Sequence, residues 1–96
     1  MKHKLTAVYT HAIGHPVRQE LLRLIVSIES AISPVEASRR ISVDLSKAAY
    51  HMRVLKEAEV VVLVEKKQVR GATEHFYRPV QKAVEHPVIK AILDEA

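Results

Sequence analysis

The helical periodicity of the first half of this chain stops at Val60, where five β-favouring residues follow one another: Val60-Val61-Val62-Leu63-Val64. Behind them come Lys66-Lys67-Gln68-Val69-Arg70-Gly71 and then Ala72 to Arg78, with Pro79 closing the segment. Two extended runs joined by a polar stretch that ends in Gly predict a β-hairpin over about residues 60–78. Its tip is basic.

Everything before the hairpin reads as helix. Leu5, Val8, Tyr9, Ala12 and Ile13 recur at steps of three and four residues, and Gly14 supplies a stop, so residues 4–13 are predicted helical. His15-Pro16 opens the next helix, with Pro suited to a first turn. Val17, Leu21, Leu24, Ile25 and Ile28 form its apolar face over residues 16–28. Ser33-Pro34-Val35-Glu36 has the pattern of a capping box, in which the Ser hydroxyl accepts from the Glu36 N–H and the Glu carboxylate returns to the Ser N–H. A short helix then runs to about Ile41. After the polar turn Ser42-Val43-Asp44, the residues Leu45, Ala48, Ala49, Met52 and Leu55 line one face of a helix over about 45–58. Past the hairpin, Val88, Ile89, Ile92 and Leu93 repeat at helical spacing behind Pro87. This last stripe, about 87–95, is close to the terminus and is expected to add little to the core of one subunit.

Ninety-six residues, 48% of them hydrophobic, allow one domain over 1–96, built on Val, Leu, Ile and Ala because there is one Phe and no Trp. The absence of Cys removes disulfides, thiolate metal sites and cysteine nucleophiles. The N-terminal stretch has no long apolar run, which points to a cytoplasmic protein without membrane contact. Residues 39–70 hold Arg39, Arg40, Lys47, Arg53, Lys56, Lys66, Lys67 and Arg70 against Asp44, Glu57, Glu59 and Glu65, while the rest of the chain balances. The whole net charge of +4 therefore falls in one contiguous third, as a face that meets a polyanion requires.

Helix, turn, helix and basic hairpin in that order predict a mainly α fold of about five helices and a two-stranded wing: a winged helix-turn-helix. In such a fold the second helix of the pair enters the major groove of double-stranded DNA. Opposite its apolar face stand Ser46, Lys47, Tyr50 and Arg53, with His51 alongside and Lys56 further on. Lys47 and Tyr50 are the candidates for base readout, and Arg53 for a guanine or a phosphate. Tyr50 can instead pack on the preceding helix, and His51 can instead fix the turn by a hydrogen bond. Arg39 and Arg40 either contact phosphate or complement their own helix dipole. Lys66, Lys67 and Arg70 can follow the backbone, and Arg70 beside Gly71 can enter a narrow minor groove; a charged edge that resists sheet aggregation is the plainer reading.

These residues resemble the ArsR-like winged-helix regulators, in particular a Cys-free subgroup. The strings that carry the resemblance are His15-Pro16-Val17-Arg18, SPVEASRRI from Ser33, LSKAAYHMRVL from Leu45 and RGATEHFYRP from Arg70, within residues 12–79. The resemblance implies a homodimer joined through the terminal helices, acting as a repressor on a pseudo-palindromic operator. Leu5, Val8, Tyr9, Ile89, Ile92 and Leu93 would then lie at or near the dimer seam. Two departures stand out. Glu59 occupies the place after the recognition helix where the family usually has Gly. The Cys pair of metal-sensing members is missing from Pro34-Val35-Glu36-Ala37, so thiolate sensing does not carry over.

The same residues bear on three other functions. Six His, among them His11 and His15 four apart and His86 beside Glu85, permit a metal- or ligand-responsive sensor, although Gly14 separates the first pair. A winged helix can also serve as a protein-contact module, using the Val60–Val64 run and the hairpin. An enzyme is not expected, because no Gly-rich phosphate loop, catalytic carboxylate pair or Cys occurs, and no cofactor is called for.

Overall fold

The computed structural model describes residues 2–95. Its elements are α1 (Lys2–Ala12), α2 (Pro16–Ser27), α3 (Pro34–Ile41), α4 (Leu45–Glu57), β1 (Val61–Val69), β2 (Ala72–Pro79), α5 (Gln81–Val84) and α6 (Pro87–Leu93). The fold is a winged helix-turn-helix, with six helices where about five were expected. The extra one, α5, is a single turn behind Pro79, too short to show a period in sequence.

Helix starts follow the sequence closely because the capping chemistry is local. The tripeptide His-Pro-Val occurs twice, and both times the imidazole Nδ1 accepts from the Val N–H while Pro fills the first turn. The distances are 3.1 Å from Val17 to His15 and 3.2 Å from Val88 to His86. Ser33 Oγ accepts from the Glu36 N–H at 3.3 Å, as a capping box requires. The reciprocal half is absent: the Glu36 carboxylate is taken by Arg40 at 3.0 Å and Arg39 at 3.3 Å. Two guanidiniums on the next turn outcompete one backbone N–H for a carboxylate.

Helix α4 ends in a left-handed residue. Glu59 has φ 60°, its N–H donates to Lys56 O, and the Val60 N–H reaches back to Leu55 O, each at 2.9 Å. That is a Schellman closure, and the buried pair Leu55 and Val60 supplies its apolar contact. A Cβ in this conformation costs about 1 kcal/mol, so Glu59→Gly should raise the unfolding free energy by about that amount. Urea denaturation of the two proteins checks this, and an unchanged midpoint would mean that the Glu59 side chain contributes a compensating interaction.

The core gathers Leu21, Leu22 and Ile25 of α2 with Met52 and Leu55 of α4, Val60 and Val61 at the base of the wing, and Tyr9, Ala83 and Ile89. Two sequence expectations are corrected here. The C-terminal stripe does add to the core of its own subunit, since Ile89 is fully buried and α6 packs on α1 and α2. Arg23 reinforces this by donating to Ile92 O at 3.3 Å and to Glu95 at 3.2 Å. Leu45 is the second: placed on the apolar face by periodicity, it stands at the first position of α4 and is 48% exposed.

The hairpin pairs Val61 with Pro79 through Val69 with Ala72, with a bulge between Leu63 and Glu65. The two turn residues, Arg70 at φ 52° and Gly71 at φ 81°, are both left-handed, as a tight two-residue hairpin turn demands. A third extended piece, absent from the sequence expectation, joins β2: Ile32 and Tyr77 exchange both backbone hydrogen bonds at 2.9 Å. This single bridge ties the wing to the α2–α3 connection.

Candidate nucleic-acid interface

The exposed side of α4 carries Ser46, Lys47, Tyr50, Arg53 and Lys56, spaced so that one stripe of the helix faces solvent. Asp44 caps this helix. Its Oδ2 accepts from the Ser46 N–H at 3.0 Å and also from the Ser46 hydroxyl. Those two bonds, the hydroxyl's first, hold the Asp44 carboxyl below its ordinary value. The Ser46 hydroxyl proton is thus committed, which leaves the oxygen free to accept.

Between α4 and the wing runs an open groove of about 360 Å³ lined by Pro34, Ala49, Arg53, Lys56, Leu63, Lys66, His75 and Tyr77. The structure therefore joins three residues picked from sequence, Arg53, Lys56 and Lys66, across a gap of a dozen positions. It also adds His75 and Tyr77, which sequence reasoning missed. Both sit on β2 facing the groove; the alternation of the strand was the available signal, but the polar composition of residues 72–78 hid which face was which. Burial pushes the Tyr77 phenol up, and the nearby Arg53 charge works against that shift.

The cations of this surface differ from their neighbours in one respect. Among the described residues Lys47, Arg53, Lys56, Lys66 and Arg70 have no ion-pair partner. Arg39 and Arg40 are both paired with Glu36, whose carboxyl they hold low, the Arg40 hydrogen bond contributing most. They line a different groove, with Glu36, Glu74 and Phe76 on its walls. The sequence grouped all eight basic residues of 39–70 into one face; the fold divides them. Lys67 lies 3.9 Å from Glu65 and over the ring of Phe76, a wall of the Arg39–Arg40 groove, at 5.1 Å.

His51 does not stand on the exposed stripe. It is 7% exposed, and its Nδ1 lies 2.9 Å from Arg18 Nη1, so its expected place beside Lys47 and Tyr50 on the DNA face is corrected. One residue's rotation on a helix is 100°, enough to carry position 51 inward while position 50 stays out. Tyr50 itself is 53% exposed and meets the His51 ring edge-on at 5.0 Å.

Two of the six expected seam residues are corrected as well. Tyr9 and Ile89 are buried within their own subunit, Tyr9 against the His86 ring at 4.9 Å between centroids. What stays open is Val8, 38% exposed, with Leu5, Ile92 and Leu93 half-buried. Beside Val8 a shallow groove continues over His11, Tyr50, Val54 and Ala58.

No group of three or more His, Asp or Glu that could hold a metal ion occurs among the described residues, and no helix there is long and apolar enough to cross a membrane. Residues 13–64 match a protein family described as a helix-turn-helix domain. That segment runs from the end of α1 through α4 into β1 and so contains the paired helices whole. No curated protein matches the chain.

Proposed function

Because the chain belongs to the helix-turn-helix domain family, we propose that it is a sequence-specific double-stranded DNA-binding transcriptional regulator, acting as a homodimeric repressor of the ArsR-like kind. The observation that carries this reading is the set of unpaired cations, Lys47, Arg53, Lys56 and Lys66, gathered on α4 and the wall of the adjoining groove. Exposed cations brought together there without a carboxylate among them, while Arg39 and Arg40 pair internally, form the surface that an external polyanion would meet.

Each residue then takes a role from its chemistry. Ser46 accepts from a base amino group, since its proton is held by Asp44. Lys47 and Tyr50 read base edges from the first two turns of α4. Arg53, Lys56 and Lys66 follow a phosphate strand along the groove, with His75 beside them. Arg70, held at the hairpin tip by a left-handed backbone, reaches the flanking minor groove. Arg39 and Arg40 contact phosphate only by exchanging the Glu36 carboxylate for it. A second copy covers the open side of α1 around Val8 and Leu5, which pairs two α4 helices for a pseudo-palindromic operator.

Selection from random duplexes followed by footprinting tests the proposal. The expected result is a symmetric site with half-sites about 10 base pairs apart and affinity that falls steeply with salt. Equal affinity for selected and random duplexes would sink the specific-regulator reading and leave a protein-contact module in its place.

A further inference from the structure

A buried cluster outside the proposed DNA surface touches the helix that carries it. Arg18, 8% exposed, donates through Nε to Ala12 O at 2.6 Å, through Nη2 to His11 O at 3.4 Å, and through Nη1 to His51 Nδ1 at 2.9 Å. The two carbonyls close the C-terminal end of α1, where the helix dipole favours a cation. The imidazole belongs to α4. Because a guanidinium only donates, His51 Nδ1 is the acceptor and carries no proton. The His15 ring lies against the His51 ring, centroids 4.2 Å apart and planes inclined 36°. Three helices thus converge on one imidazole, next in sequence to Tyr50.

We infer that Arg18 and His51 are positioning residues for DNA recognition: their contact fixes the rotation of α4 that presents Lys47 and Tyr50, and it holds only while His51 is neutral. This rests on the DNA-binding reading above. Protonation at Nδ1 removes the acceptor and sets two cations against each other in a buried site, so the ring must leave Arg18 or α4 must turn.

Every charge that acts on His51 opposes protonation. Burial, then His15 and Arg18 from α2 and Lys47 from its own helix, hold its pKa below the ordinary 6.5. From α1 come the His11 and Ala12 carbonyls, through Arg18, while the His11 side chain is exposed. On α3 the charged groups Glu36, Arg39 and Arg40 are paired with one another. A histidine with a depressed folded pKa contributes stability that is complete above 6.5 and is lost as pH falls from there through the folded value. The arrangement of α4 therefore weakens on acidification. A generic basic protein behaves in the opposite way, because protonating an exposed histidine adds a cation and tightens DNA binding.

The experiment measures the affinity of the full chain for a selected duplex at pH 7.5 and 5.5, at constant ionic strength, beside far-UV circular dichroism and amide spectra of the DNA-free protein. Affinity should fall at the lower pH, by less than about tenfold because a group held below 6.5 can give no more over this interval, with the helical signal unchanged. His51→Asn, whose amide oxygen reaches the place of Nδ1 without titrating, should abolish that fall. In the DNA-free protein the amides of residues 46–53 should move together with the His51 imidazole. An affinity that holds or rises at pH 5.5, an equal fall in His51→Asn, or a fall that coincides with unfolding would overturn the inference. If no duplex is selected, or the variant does not fold, the amide titration decides alone, and α4 amides indifferent to His51 would overturn it. The failure of the DNA reading thus stays separable from the failure of the positioning contact.

Discussion

Arg18→Leu should cost about 3 kcal/mol of stability, a large share of the roughly 5–14 kcal/mol that a domain of this size possesses. Leu returns none of the three hydrogen bonds. The Ala12 carbonyl at the end of α1 and Nδ1 of His51 would lose their donor, while the His11 carbonyl would keep only the Gly14 N–H. Each orphaned buried acceptor costs on the order of 1 kcal/mol or more, and bonds from a charged donor sit at the upper end of the range. Against this stands the desolvation of a guanidinium that has no carboxylate partner among the described residues, a penalty that Leu removes. The carbonyl pair tips the balance, because it offers Arg18 the negative end of a helix in place of a carboxylate. Urea unfolding followed by circular dichroism gives the difference directly. A loss under about 1 kcal/mol would mean that desolvation cancels the network. Arg18→Lys should fall between the two, since an ammonium on a linear stem cannot span three acceptors in a plane.

Lys47→Glu should weaken binding to a selected duplex about a hundredfold near 0.1 M salt while leaving the fold intact. The side chain is exposed and has no ion pair among the described residues, so its replacement breaks no ion pair within the subunit. A carboxylate in the first turn even suits the helix dipole, so stability should hold or rise slightly. Lys90→Glu makes the same change in net charge on α6 and serves as the comparison. If both variants lose affinity alike, the effect is the overall charge of the protein, and α4 is not the reading helix. Loss confined to Lys47→Glu, together with a smaller salt slope, places a phosphate or base edge at that position.

The wing and the paired helices were readable before any coordinates because their signals are local. A helix start depends on a cap two or three residues away, so His15, Ser33 and Asp44 each announced one. The end of α4 needed a left-handed residue, and the chain placed Glu59 there without the Gly that would ease it. Strand composition from Val60 and the Gly at position 71 located the hairpin to within a residue or so.

What the sequence could not decide was how faces turn toward one another. Arg40 and Arg53 look alike in a charge count, but one finds Glu36 a turn away and the other meets the wing. His51 and Tyr50 are adjacent, and only the packing of α2 on α4, through an Arg 33 positions earlier, draws one in and leaves the other out. Ile89 read as a seam residue because its partners on α1 and α2 are distant in sequence. The five-residue run from Val60 and the basic tip fixed that a wing exists. Which cations that wing faces, and that His75 and Tyr77 share the groove with them, followed only from the pairing of β1 with β2 and their docking on α4, because a side chain's charge is local while its company is set by contacts between distant segments.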